Sequence, residues 1–239
     1  AEIISALFFS VMGPGDEFIL SKGHAAPILW AAYAEAGFIE AAELKNLRKI
    51  ESVLEGHPTA RMPLVKIATG SLGQGLSAGV GVALAQRLKR SGGRTYVLLG
   101  DGECAEGSIW EAAGSAAHYG LSSLCAIVDA NRLGQSGPTM HQHELEHYTR
   151  KFDAFGWEAL AVDGHAMEDL LAAYARSFLE PLVGGSTHCR FVNLMAREMI
   201  DPHLPRDMFV TEMVIPVTAA MTESLIRVYP RLDKAKAGV

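Results

Sequence analysis

Two short aliphatic runs, separated by a small-residue segment, limit what this 239-residue chain can fold into more than any other feature. The first run, residues 95–99, ends in Gly-Asp-Gly, and the second, residues 123–129, ends in the polar stretch ANRLG. Between them, the segment SIWEAAGSAAHYG predicts a helix that is closed by Gly120. A buried strand, a helix and a second buried strand together predict a parallel βαβ unit.

The remaining segments continue this alternation. Their composition predicts helices over residues 26–38, 41–52, 70–90 and 167–177, and a third strand near residues 158–162. Glycines and alanines in the third of these helices predict close packing against a neighbouring helix or sheet. The predicted fold class is therefore α/β, with three α/β/α layers around a mainly parallel sheet. Ligands bind such sheets beyond the carboxyl ends of the strands.

Composition argues against several functional classes. Apolar residues make up 49% and charged residues 20%, which is ordinary for a globular chain. The formal net charge of −6, without a Lys/Arg cluster, disfavours a nucleic-acid partner. No apolar run reaches the roughly 18 residues of a membrane span, and the first residues lack the basic leader of a secretory signal. Cys104, Cys125 and Cys189 form no CxxC pair, which favours reduced thiols and a cytoplasmic location.

Asp101 and Asn131 follow two neighbouring strands of the predicted sheet, so both are expected at one edge. Carboxylate and amide oxygens are hard ligands that suit Mg²⁺ or Ca²⁺. Gly100 and Gly102 allow close backbone approach, and the following helix N-terminus favours an anion. A lone Gly-Asp-Gly is more often an ordinary turn in which the aspartate caps a helix. With Asn131 at the next strand end, the pattern instead favours a clamp for a metal ion and a diphosphate.

Gly-Asp-Gly followed after about thirty residues by Asn resembles the thiamine-diphosphate motif. The segments SKGHAAP, LEGHPTA, ATGSLGQGL and LLGDGECAEGSIW, in this order, are similar to segments of the transketolase family. The resemblance covers residues 1–176 and identifies them as an N-terminal diphosphate-binding domain with the thiamine-diphosphate-binding fold. Residues 177–239 align with nothing in the family and are unassigned, either a diverged or a non-contiguous tail.

The resemblance also implies which residues hold the cofactor and its metal ion. A divalent cation, Mg²⁺ with Ca²⁺ or Mn²⁺ as alternatives, is expected at Asp101, Asn131 and the main-chain carbonyl oxygen of Leu133. Thiamine diphosphate is expected against a set of loop residues that comprises Gly70, Leu72, Gly102, Asn131 and Gln135. Glu106, just after the metal turn, is expected at a dimer interface.

His24 in SKGH and His57 in GHP resemble the catalytic histidines of the family's substrate channel. The implied reaction is reversible transfer of a two-carbon ketol unit between phosphorylated ketose and aldose sugars, as in the pentose phosphate pathway. Breaking a carbon–carbon bond beside a carbonyl requires proton movement at hydroxyl groups. Imidazole suits this task because it titrates near neutral pH.

The family's glutamate for the aminopyrimidine ring of the cofactor belongs to a second, pyrimidine-binding domain, and this chain shows no counterpart of it. Activity is therefore expected only with that domain, from the same or another chain, in a homodimer. Alternatives within the class are a dihydroxyacetone synthase or a deoxyxylulose-phosphate synthase, and outside it a non-catalytic regulatory subunit.

Residues 73–78 also fit the GxGxxA pattern of a dinucleotide site. Such a site needs a strand directly before the pattern and an acidic residue about twenty positions after it, where this chain has Thr95. The sequence therefore argues against a dinucleotide site.

Overall fold

The computed structural model of the chain describes residues 1–183, and it describes side chains as far as residue 175. One structural unit comprises Ala1–Ser177. The second, Phe178–Val239, lies almost entirely outside the described residues. The expectation that residues 177–239 form a diverged or non-contiguous tail therefore stays a prediction, as does the domain boundary at residue 176.

Within residues 1–183, three parallel strands form the sheet, and their order is β1-β2-β3. The strands and helices have these bounds: β1 Glu17–Leu20, β2 Thr95–Gly100, β3 Leu124–Asp129, α1 Glu2–Ala6, α2 Ala26–Glu35, α3 Gln74–Lys89, α4 Gly107–His118, α5 Leu145–Ala154 and α6 Met167–Val183. A π-helical turn covers Leu7–Val11, and 3₁₀ turns cover Gly23–Ala25, Ala41–Asn46 and Gly102–Ala105. The predicted parallel βαβ unit is confirmed as β2, α4 and β3.

The sheet is covered by helices on both faces, because alternate residues of β2 enter different cores. Val97 and Leu99 pack with α3, α4 and α5. Leu98 packs on the opposite face with α1, α2 and the irregular segment after α2. Every residue of β2 is buried, which explains its unbroken apolar pattern. The predicted three-layer α/β/α architecture is confirmed.

Helix α3 lies close to the sheet because glycines line its inner face. A Cβ on Gly79 would lie 2.5 Å from Cγ2 of Val97. A Cβ on Gly75 would fall on the Ser21 side chain, just after β1. Small residues at these positions are therefore required by the helix–sheet separation, as the sequence predicted.

Three local predictions differ from the structure. Among the described residues, 158–162 form no strand: they line a cleft of about 880 Å³ opposite β3, and the Ala159 N–H donates instead to the Asp153 carboxylate (3.2 Å). The helix predicted over residues 41–52 is only the 3₁₀ turn Ala41–Asn46 followed by turns. Strand β1 was not predicted, because four residues beginning with a glutamate carry little periodic signal.

In the part of the chain that the structure describes, no helix has the length and apolarity needed to cross a membrane.

Candidate functional site

The loops that contain the two motif histidines meet beside the carboxyl end of β1. Thr69 joins them: its hydroxyl donates to the Leu20 carbonyl oxygen (2.7 Å), and its N–H donates to the Pro58 carbonyl oxygen (3.1 Å). Residues 21–24 and 56–58 are therefore held on either side of the glycine-rich loop before α3. The histidine motifs, far apart in the sequence, therefore lie together beside the glycine-rich loop. We call the space between these loops and the carboxyl end of β2 the crevice.

Asp101 lies at the carboxyl end of β2 and is 4% exposed. Its Oδ1 accepts from the Gly102 N–H (3.0 Å), and its Oδ2 accepts from the Arg132 N–H (3.0 Å) and the Thr139 hydroxyl (2.6 Å). A carboxylate has about four lone-pair sites, so these bonds leave acceptor capacity for a cation. Asp101 also caps the 3₁₀ turn after it. The interpretation of Gly-Asp-Gly as a capping turn is therefore compatible with its interpretation as part of a metal site.

The structure brings Asn131 beside Asp101, because the next residue, Arg132, is the one that donates to Asp101 Oδ2. The Asn131 side-chain oxygen accepts from the Leu133 N–H (2.9 Å), which leaves it one further acceptor position. Leu133 begins a narrow loop closed by its bridge to Pro138 and is 78% exposed. All three predicted metal ligands therefore belong to one cluster of loops.

A buried lysine at the same edge was not anticipated as part of the site. Lys22, in the SKGH segment, is 5% exposed, and its Nζ contacts Oδ2 of Asp129 at 2.6 Å. Asp101 and Glu103 add two buried carboxyl groups at this strand edge. Of the charges named here, Asp129, Asp101 and Glu103 are formally negative and Lys22 is positive, so a net negative charge remains. This net negative charge fits a site for a divalent cation.

The two motif histidines are exposed and close to each other. The pKa of His24 is lowered below its ordinary value of 6.5, chiefly because its surroundings desolvate the imidazolium, and then because of the charges of Lys22 and His57. Glu103 and Asp129 act in the opposite direction. His24 is therefore predominantly neutral at pH 7 and is able to accept a proton. Since the unfolded chain binds more protons below pH 6.5, the contribution of His24 to stability increases with pH up to about 6.5.

We predict that replacing Lys22 with glutamine raises the pKa of His24. The substitution removes a positive charge near the imidazole and leaves Asp129, whose charge favours the imidazolium, without its lysine partner. An NMR titration of the histidine ring resonances measures this. Lys89→Gln, at the far end of α3, is the control and is expected to leave the pKa of His24 unchanged. An unchanged or lower pKa in the Lys22 variant would contradict the electrostatic assignment.

Three of the predicted cofactor-binding residues, Gly70, Gly102 and Asn131, lie at this crevice, and the other two, Leu72 and Gln135, lie in the adjoining loops. Gly70 has a φ of +145°, and a Cβ there would lie 3.3 Å from the His57 ring, so the position suits glycine. The Gly102 N–H is already used by Asp101, and a Cβ there would make an ordinary contact with Thr139 at 3.4 Å, so packing does not require glycine at this position. Leu72 is 42% exposed in the loop before α3. Gln135 is exposed in the loop that Leu133 begins.

The donor set determines which metal chemistry suits the site. Residues 1–183 contain no group of three or more His, Cys, Asp or Glu side chains that could hold a metal ion. A cation at Asp101 would therefore rely on neutral oxygen atoms and on oxygens of a bound anion, as Mg²⁺ sites commonly do. No strand directly precedes the GxGxxA stretch at residues 73–78, as a dinucleotide site would require.

Glu103 and Thr139 are two site residues that sequence reasoning missed. Thr139 is 6% exposed and donates to Asp101. Glu103 is 2% exposed and accepts hydrogen bonds from the loop after β1, from the loop before α3 and from the last residue of β2. An acidic residue directly after Gly-Asp-Gly was a visible signal, but its burial depends on residues distant in the sequence.

Comparison with known proteins identifies the class. The family model described as "Transketolase, thiamine diphosphate binding domain" matches residues 14–180, which is more than half of the chain. Together with the parallel α/β fold, this match defines a thiamine-diphosphate-binding domain. The chain belongs to the transketolase family.

Individual relatives agree with this assignment. Transketolase from Homo sapiens is 50% identical over 191 residues, covering 76% of this chain and 31% of the relative. An apulose-4-phosphate transketolase subunit from Phocaeicola vulgatus is 40% identical over 181 residues, covering 72% and 64% respectively. The solved transketolase from Campylobacter jejuni matches with a TM-score of 0.66 and 29% identity over 73% of this chain and 30% of that one. The chain thus spans about a third of the length of the human relative.

Proposed function

We propose that this chain forms the cofactor-holding half of a transketolase active site. The proposed reaction is reversible transfer of a two-carbon ketol unit between a phosphorylated ketose and a phosphorylated aldose, as in the pentose phosphate pathway. The observation that carries this proposal is the convergence of Asp101, Asn131, His24, His57 and the Gly70 loop at one edge of a parallel sheet, in a chain of this family.

In this proposal, Asp101, the Asn131 side-chain oxygen and the Leu133 carbonyl oxygen hold Mg²⁺, with Ca²⁺ or Mn²⁺ as substitutes. The free acceptor capacity of Asp101 and Asn131 and the local excess of negative charge support this assignment. The bonds from Thr139 and Arg132 hold Asp101 at a fixed orientation, which a cation site needs in order to bind without reorganisation.

The proposed contacts of thiamine diphosphate are Gly70, Leu72, Gly102, Asn131 and Gln135. When bound, the cofactor supplies the electron sink that carbon–carbon cleavage beside a carbonyl requires. Glycine at position 70 supports close approach of the backbone to a ligand, because its φ of +145° disfavours other residues and a Cβ there would crowd the His57 ring. Leu72 presents an exposed apolar side chain beside it.

His24 and His57 are proposed to hold and move protons at the substrate hydroxyl groups. His24 suits the accepting role because its lowered pKa favours the neutral imidazole at pH 7. His57 lies against Gly70, so its ring faces the same crevice as the proposed cofactor contacts. Together they would bind substrate oxygens and orient the reacting carbons.

A pyrimidine-binding domain is the proposed partner, in a homodimer. Exposed apolar side chains around the site support a covering surface: Leu133 is 78% exposed and Met140 is 77% exposed. Glu106, at the start of α4, is also exposed and is available to such an interface. The Phocaeicola vulgatus relative is named as one subunit of an enzyme, so the partner domain need not share a chain with this one. Cys104, which is buried, and Cys125, which is partly buried, are both free thiols, and this supports the cytoplasm as the proposed location.

Two-carbon transfer is the activity that tests the proposal. Protein containing this chain, together with a pyrimidine-binding domain, is incubated with a phosphorylated ketose and a phosphorylated aldose. We expect the ketose to lose two carbons and the aldose to gain two, only when thiamine diphosphate and Mg²⁺ are both present. Omitting either is the control.

The alternatives give different products in the same assay. Extension of a one-carbon aldehyde to dihydroxyacetone would favour a dihydroxyacetone synthase. Formation of a deoxy sugar phosphate from a 2-oxo acid would favour a deoxyxylulose-phosphate synthase. Cofactor binding without transfer to any acceptor would contradict the proposed activity, and it would favour a regulatory subunit.

A further inference from the structure

The Glu103 side chain lies between the loop after β1, the loop before α3 and the carboxyl end of β2, and it is almost completely removed from solvent, at 2% exposure. Its Oε1 accepts from the Ser21 hydroxyl and from the Gly73 N–H (2.8 Å). Its Oε2 accepts from the Gly100 N–H (3.1 Å). One buried carboxylate therefore joins segments that lie 82, 30 and 3 residues away along the chain.

Each of these three segments leads directly into the proposed site. Ser21 begins the loop that contains His24. Gly73 closes the loop that contains Gly70 and Leu72, and Gly100 immediately precedes Asp101. The distance from the histidine loop to the glycine-rich loop and to the metal turn is therefore set through the two oxygen atoms of Glu103.

We infer that Glu103 is a positioning residue for the thiamine-diphosphate site, which it assembles by holding the histidine loop and the glycine-rich loop at a fixed separation from the end of β2. The inference rests on the proposed function of the site. Glu103 does not act on the ligand itself, because its oxygens are buried and bonded to the loops.

The chemistry of its partners explains why a carboxylate is needed. Two of the three partners are backbone N–H groups, which only donate, and the Ser21 hydroxyl is also oriented as a donor. A glutamine at position 103 keeps the shape but replaces one acceptor oxygen with an NH₂ donor. In either orientation of the amide, the NH₂ group faces the main-chain N–H of Gly73 or that of Gly100. That N–H then has no acceptor, and a buried donor without an acceptor is unfavourable.

The test is Glu103→Gln in protein that contains this chain and its pyrimidine-binding domain, with calorimetric titration of thiamine diphosphate at saturating Mg²⁺. We expect the Kd to increase about 10–100-fold, the usual effect of losing a residue that orients a ligand-binding group. The matched control is Thr95→Val, which removes another buried hydrogen bond, from Thr95 to Gln86 (2.9 Å), at the opposite end of β2. This variant is expected to lose stability while keeping the wild-type Kd.

Circular dichroism and a urea titration of each variant separate positioning from folding. An unchanged Kd in folded Glu103→Gln, or an equal increase in Thr95→Val, would overturn the inference. If Glu103→Gln does not fold, Ser21→Ala removes one of the three loop bonds and is expected to raise the Kd in the same direction; an unchanged Kd there would equally overturn it. Wild-type protein that binds no thiamine diphosphate would instead contradict the proposed function.

Discussion

Replacing Asp101 with asparagine is expected to weaken metal-dependent binding of thiamine diphosphate by more than about 100-fold, because loss of an orienting residue alone costs 10–100-fold and Asp101 is a proposed direct ligand. The amide keeps the size of the side chain, but its single oxygen can accept from Gly102 or from Arg132 and not from both, so part of the loss comes from weaker support of the loops. It removes the negative charge that a divalent cation requires. Calorimetric titration of thiamine diphosphate with Mg²⁺, and again with a chelator, measures the effect.

The control for this variant is Asp163→Asn. Asp163 also accepts from a main-chain N–H, that of His165 (2.9 Å), but in an exposed loop. It is expected to bind the cofactor as wild type does. Wild-type affinity in the Asp101 variant would show that Asp101 is not a ligand. If wild-type protein complete with its pyrimidine-binding domain shows no metal-dependent binding, the cofactor assignment itself fails.

The second large effect is expected at Gly75, where alanine should destabilise the fold by about 3 kcal/mol. The new Cβ would fall on the Ser21 hydroxyl and lie 2.8 Å from Ser21 Cα, a backbone atom that cannot move without displacing the end of β1. Ser21 is fully buried, so neighbouring atoms give it no room to shift. Urea unfolding measures the change in the free energy of unfolding.

Gly81→Ala is the matched control in the same helix, α3. A Cβ there meets nothing within 4 Å, and the position is exposed. Alanine is a better helix former than glycine, so this variant is expected to be more stable by about 0.5–1 kcal/mol. The two substitutions are chemically identical, and their effects should have opposite signs. Equal effects would mean that α3 does not lie as close to the sheet as described.

The central βαβ unit could be predicted because its signals are local. All six residues of β2 are buried, so the strand is apolar without interruption. Gly120 has a φ of +58°, the conformation expected of a glycine that closes a helix. The carboxyl ends of parallel strands share one edge, so Asp101 and Asn131 could be placed together from their positions after consecutive strands. The order of the motif segments then indicated the family.

Other features depended on pairing between distant segments. Residues Glu17–Leu20 form a strand because β2 offers them a partner in register, from Glu17 opposite Thr95 to Leu20 opposite Leu98. Residues 158–162 have a similar apolar pattern but make no ladder bonds with β3. A short apolar stretch can form a strand or an irregular segment, and a neighbouring strand that pairs with it decides which of the two it forms.

The sequence by itself determined the fold class, the strand edge where a ligand is expected and the residue types available there, because periodicity and motif spacing are properties of the chain. Only the tertiary structure decided that Lys22 is buried against Asp129 and that Glu103 joins two loops to the end of β2. Burial of a charged side chain is stable only when its partners surround it, and those partners come from distant parts of the chain.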